Sequence, residues 1–163
     1  MSFDGKREGS IFRHLCVVAA GLASLAIICV GAASAGECPP DKQGVTKPGP
    51  TESKDVTDKV LSSIDLGKDK VAVTDHRLRL RKLEVKPGGV VAWHSHGDRP
   101  AIIYIIKGEI VEYASNCAVP IVHKAGQVAS ETSGTAHWWK NMGQQPVVLL
   151  SADILQGESD HNM

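Results

Sequence analysis

Net charge is the first thing this sequence lacks. Over 163 residues, 18 Lys and Arg are matched by 18 Asp and Glu. Without a basic excess there is no electrostatic footprint for nucleic acid or for an anionic lipid surface, and neither is expected as a partner. Cysteine is also sparse, at four in the chain, too few for a disulfide-stapled miniature fold. Beyond residue 35 only Cys38 and Cys117 remain, and with no further cysteine available a metal role for the pair has less support. Those two can bridge or stay as free thiols, since sequence does not report proximity. Also missing beyond residue 35 is any convincing long helical pattern. Many short apolar segments separated by Gly and Pro turns point instead to an all-β sandwich or barrel.

The N-terminus holds the one long apolar run. Residues 1–14 are polar and carry Lys6, Arg7 and Arg13; residues 15–33 are almost wholly apolar; Ala33-Ser34-Ala35 is a small-x-small site. This is the layout of a secretory signal peptide cleaved after Ala35, which implies an exported, periplasmic or extracellular protein. An uncleaved membrane anchor is the alternative, because about 19 apolar residues just span a hydrocarbon core. Neither Cys16, Cys29 nor Cys38 follows a lipobox-like sequence, which argues against a lipid anchor. Removing residues 1–35 leaves 128 residues with 15 basic and 16 acidic side chains, a length suited to one domain with a single core.

The expected layout is a signal peptide over 1–35, an N-terminal arm over 36–66, one domain over 67–156 and a polar tail over 157–163 that includes His161. Residues 36–51, rich in Pro, Gly and charge, read as an extended linker. The apolar spacing of Val56, Val60, Leu61, Ile64 and Leu66 allows a short helix or an irregular first strand. In His76-Arg77-Leu78-Arg79-Leu80-Arg81, alternation puts leucines on one face and arginines on the other, most simply a solvated outer face. Leu83 and Val85 then continue the leucine face after a bulge. Pro87-Gly88-Gly89 reads as a turn. Residues 101–106 read as a strand buried on both sides, followed by strands over 109–114, 120–123, 127–130, 135–140 and 146–154.

The chemistry gathers in two glycine-framed stretches, GGVVAWHSHGDRPAIIYIIKG from Gly88 and GQVASETSGTAHWWKN from Gly126. His94 and His96 are two apart, so on a strand both point to one face, about 6.6 Å apart along the chain. His137 can add a third nitrogen from a neighbouring strand. Each of these histidines alone would be an ordinary strand residue; the pair and the third together form a candidate metal set.

These stretches resemble the two motifs of the cupin superfamily. Gly88, His94, His96 and Gly108 fit G-x5-H-x-H-x(3,4)-E-x6-G. Gly126, Gly134, His137 and Asn141 fit G-x5-P-x-G-x2-H-x3-N, with Thr132 at the proline position. The span covers about a third of the chain. Ala101 occupies the glutamate position, so the family's His/His/Glu/His set lacks its carboxylate here. The resemblance implies a cupin-type double-stranded β-helix, a jelly-roll barrel with a site at one mouth, and pairing of two copies through barrel edges. It also implies no single reaction, since cupins include dioxygenases (some with three histidines and no glutamate), isomerases, sugar-binding and storage proteins.

Three neutral imidazoles suit a divalent Fe, Mn, Zn, Ni or Cu ion and leave positions open on it. Such an ion can polarise an oxygen-bearing substrate or acidify a water. The leading expectation is an exported metal-binding cupin acting as a small-molecule oxidoreductase of dioxygenase type. The alternatives are a non-enzymatic small-ligand binding or sensing cupin, and a zinc-dependent hydrolase or isomerase. Strand parity puts Ala92 beside His94, Trp139 beside His137, and Ile103 and Ile105 in the pocket wall, with Tyr104 and Trp138 outside. Trp139 reads as barrel filling or a stacking surface, and Tyr113 as a packing residue. Asp98 and Arg99 can bind an anionic substrate or pair with each other. Glu112 is either a displaced ligand or a partner for the N–H of a ligand histidine, unless a one-residue slip turns it to solvent.

Overall fold

The computed structural model describes residues 37–157. The expectations for residues 1–35, and for the tail with His161, lie outside the described residues. Within them the chain forms eight strands and a single turn of 3-10 helix, Pro40–Lys42, with no α-helix. The strands are β1 (Lys54–Asp65), β2 (His76–Ser95), β3 (Ala101–Lys107), β4 (Glu109–Ala114), β5 (Ile121–Lys124), β6 (Val128–Glu131), β7 (Ala136–Lys140) and β8 (Val147–Gln156). The open choice for residues 56–66 falls to strand. All pairings are antiparallel in the order β5-β4-β7-β2-β8-β3-β6, with β1 added to β2, and the sheet rolls into a nearly closed barrel of the jelly-roll type.

β2 organises the barrel. Its first half lies between β1 and β8, and its second half pairs with β7. The expected turn at Pro87-Gly88-Gly89 is a bend within this one strand. Gly88 takes a φ of +75°, a left-handed value available to glycine at no steric cost, and its N–H donates to Asn141 O at 3.0 Å. Asn141, fully buried, donates through Nδ2 to Val85 O and Gln145 O and accepts from Gly143 N–H. The motif asparagine is thus a clamp between the bend and the β7–β8 loop.

The apolar core is made by alternate residues of six strands: Leu83, Val85, Val91, Ile103, Ile105, Ile110, Ala129, Trp139, Val147 and Leu149. Burying each of the larger ones contributes about 1.5–3 kcal/mol. Two strand-face expectations are corrected. β3 is buried on one side only, since Ile102, Tyr104 and Ile106 are exposed; a run of isoleucines does not by itself reveal how many faces are covered. In β2 no bulge separates Arg79 and Arg81 from Leu83 and Val85, so all four point inward and Leu78 points out. The arginines are held by Asp153 on β8, the cross-strand partner of Arg79. Arg79 donates to it through Nε at 3.0 Å and Nη2 at 2.7 Å. Arg81 meets the same carboxylate at 3.2 Å and Asp58 of β1 at 2.7 Å.

The arm closes one flank. Cys38 and Cys117 are joined in a disulfide that packs with Ala114, Ile121 and Val119, and Gln43 bridges to Cys117. Gly49 lies flat against the indole of Trp138, where an added Cβ would come within 2.3 Å of the ring. Trp138 in turn stacks on Tyr113 at 4.0 Å.

Candidate metal centre

His94 and His137 are direct cross-strand partners on β2 and β7, which places their side chains about 4.5–5.5 Å apart at Cβ. An extra residue of β2 between Val91 and His94 breaks the register there, a bulge of the kind that re-aims side chains beside sites. For this reason both Val91 and Ala92 are buried ahead of His94. His96 follows, held by its own N–H to Thr135 O at 2.9 Å.

The three rings converge. Nε2 of His96 is 3.2 Å from Nε2 of His94 and 3.0 Å from that of His137, and the third side of the triangle is 3.0 Å. These are not hydrogen bonds in a set of neutral rings, because every Nδ1 already faces an acceptor. His94 Nδ1 faces Ala92 O at 2.8 Å, His96 Nδ1 faces Arg99 O at 2.7 Å, and His137 Nδ1 faces Glu112 Oε1 at 2.6 Å. A neutral imidazole has one N–H, so each proton sits on Nδ1 and three Nε2 lone pairs are aimed at one point. Burial, then the neighbouring His137, lowers His94 to about 3 and His96 to about 4, so neither takes a proton near neutral pH. Ligands about 2.1 Å from one ion and near a right angle apart are about 3.0 Å from each other. The triangle therefore fits a divalent cation.

Glu112 is buried on β4 and its two oxygens are both committed: Oε1 to His137 Nδ1, and Oε2 to His123 Nε2 at 2.7 Å. Burial would raise its pKa, but the hydrogen bonds from His123 and His137 outweigh that and hold it at about 2. Trp139 is buried; its Nε1 points to the ring of His137, 3.1 Å from Nδ1, and its indole stacks on His123 with centroids 4.5 Å apart. Arg99 is buried facing Asp153 at 3.8 Å, whereas Asp98 is exposed in the loop.

Several residues escaped the sequence reading. His123 is fully buried behind Glu112; its alternation with Ile121 was the available signal. Glu131 is buried beside Glu112, and burial followed by the Glu112 charge raises its pKa to about 8. Two spaces adjoin these groups. A void of about 20 Å³ inside the barrel is lined by His94, His96, Arg81, Ser151 and Trp139 among others. A polar cleft of about 270 Å³ is lined by Glu112, Glu131, Thr135, Asn116 and Gln43 among others.

The sequence pattern described as Cupin domain matches residues 81–153, from the inward Arg81 of β2 to Asp153 on β8. Residues 81–153 thus form a cupin domain. Among solved structures this cupin is similar to the Cnp3 cupin domain of Schizosaccharomyces pombe, at 16% identity over 63% of this chain and 66% of that one, with a TM-score of 0.49. It is similar also to a double-stranded β-helix protein of Klebsiella pneumoniae, at 20% identity over 71% and 92% of the two chains, with a TM-score of 0.47. A third is a predicted oxalate decarboxylase of Thermotoga maritima, at 24% identity over 64% and 97%, with a TM-score of 0.46. These likenesses are too distant to argue a function for the cupin. A search among curated proteins finds no match.

Proposed function

We propose that this cupin is exported and binds a divalent metal on His94, His96 and His137 to act on a small molecule, as a dioxygenase-like oxidoreductase. The observation that carries the reading is the buried triangle of Nε2 lone pairs with every Nδ1 proton tied elsewhere. Those lone pairs repel one another unless a cation lies between them. An ion there would supply Lewis-acid or redox chemistry. The chain's own part is to hold the rings, exclude bulk water and limit access. The void beside His94 and His96 has room for about one water-sized molecule. Metal analysis of protein taken from its native compartment, followed by oxygen uptake with candidate small molecules, tests this. Zinc content without oxygen uptake would favour the hydrolase or isomerase alternative.

The second reading, a binding or sensing protein, is favoured by enclosure: His94 is 7%, His96 1% and His137 0% exposed. Metal retention with no turnover of any substrate class would support it. Export is supported by the Cys38–Cys117 bridge, which persists in oxidising compartments; mass spectrometry should find Gly36 as the first residue. The homodimer is supported by the outer face of β3, β8 and β2, where Ile102, Tyr104 and Leu78 lie exposed. The outward Lys82 and half-buried Glu84 beside them on one strand are opposite in charge, so each can meet the other across a two-fold axis. Light scattering should give a dimer that Ile102→Glu dissociates.

A further inference from the structure

Two buried carboxyl groups stand beside His137, and only one is fully committed. Both oxygens of Glu112 accept hydrogen bonds from imidazoles. Glu131 is as buried, at 4% exposed, yet the polar contact of its side chain among the described residues is a 3.5 Å approach of Oε2 to His137 Nδ1, the nitrogen whose proton Glu112 already receives. A buried carboxyl without a donor is costly and calls for a partner.

Its position supplies the partner. Glu131 on β6 is the antiparallel partner of Ala101 on β3, so their Cβ atoms are about 4.5–5.5 Å apart. Ala101 presents only a methyl beside Glu131. The glutamate side chain has three rotatable bonds, and its carboxyl lines the polar cleft, so it can turn without disturbing the packed core. A carboxyl group that lacks a donor, stands next to a triad of neutral nitrogen ligands and can reach past an alanine is matched by one partner, a divalent cation.

We propose that Glu131 is the carboxylate arm of this metal centre, turning from its place beside His137 to join the three imidazoles on the ion. The inference rests on the three-histidine reading. It makes the centre three nitrogens and one oxygen, with the charge of the ion partly neutralised, and it leaves Glu112 as the group that orients His137.

Cobalt(II) is the probe, with affinity read by titration and ligand set by the visible absorption bands. Glu131→Gln keeps the volume and removes a buried acid, so the fold should survive, with circular dichroism as the check. It should weaken cobalt binding roughly tenfold or more and alter the bands. The double variant Ala101→Glu with Glu131→Ala moves the carboxylate across the strand pair and should restore both. Wild-type affinity and bands in Glu131→Gln would overturn the proposal. A loss that the relocated carboxylate fails to restore would overturn it too, since an outer partner of His137 cannot be replaced from position 101. If the wild-type protein binds no cobalt, the three-histidine reading itself fails, which is a different result from either.

Discussion

The barrel contains two buried polar centres, and they are built on opposite plans. In the arginine centre, Asp153 receives Arg79 in a two-pronged contact and also faces Arg81 and Arg99, while Arg81 reaches Asp58 as well. Opposite charges meet there. In the histidine centre three lone pairs of one kind meet at 3.0–3.2 Å, and the protein supplies nothing to lie between them. The first is held by pairing, whereas the second has the arrangement that a divalent cation would complete. The contrast separates a structural cluster from a binding one without appeal to where either lies in the fold.

Breaking the arginine centre should have the largest effect. Asp153→Asn leaves buried guanidinium charge uncompensated and should cost about 3–5 kcal/mol, in urea denaturation, by the same amount with and without metal. Next comes pH, which should act through the other centre. In the metal-free protein His94 and His96 are held at about 3 and 4, below the 6.5 of the free side chain. Between those values the unfolded chain binds more protons, so the stability these rings contribute is present above pH 6.5 and lost as pH falls through 4 and then 3. Glu131 has the opposite sign: raised from 4.5 to about 8, it contributes stability below pH 4.5 that is lost as pH rises through 8. Glu131→Gln should remove the alkaline fall and leave the acid one, seen in melting temperature against pH.

Metal should sharpen the comparison further. At a hundredfold excess over Kd it should stabilise the fold by about 2.7 kcal/mol, and His137→Ala should abolish this gain. Glu112→Gln should lower metal affinity about 10–100-fold by loosening the hold on His137, whereas Glu109→Gln on the exposed face should leave a titration unchanged. The smallest effect is expected at Asp98, exposed in the loop, where Asn should change stability by no more than about 0.5 kcal/mol.

The histidine centre was the more legible of the two. A spacing of two on a strand fixes a shared face, and glycines at 88, 108, 126 and 134, all with positive φ, mark where the strands bend. The arginine centre was hidden because alternation tells which residues share a face but not which face is inside. Arg79 shares its face with Leu83 and Val85, and only a bulge that the chain does not make would have parted them. Glu112 was legible as a partner for a ligand histidine, but His123 and Glu131 were hidden for a related reason. Glu112 and His123 lie on paired strands, Glu131 and Ala101 on another pair, and such registers are set by turns and closure rather than by any local pattern. The isoleucines of β3 misled in turn, because apolar character records affinity for cover and not the presence of it.

The Cys38–Cys117 bridge makes a covalent ring of the chain, and the ring does not enclose the whole barrel. With its ends 79 positions apart in sequence, it takes in β1 to β4, and with them His94 and His96, while His137, Glu131 and Asp153 lie on the open strand of chain that leaves it. A protease that cuts once anywhere between 38 and 117 leaves two pieces still tied together. A single cut between 118 and 136 frees the third histidine from the other two, so in an oxidised protein the short stretch holding β5 and β6 is where one nick can take the metal centre apart.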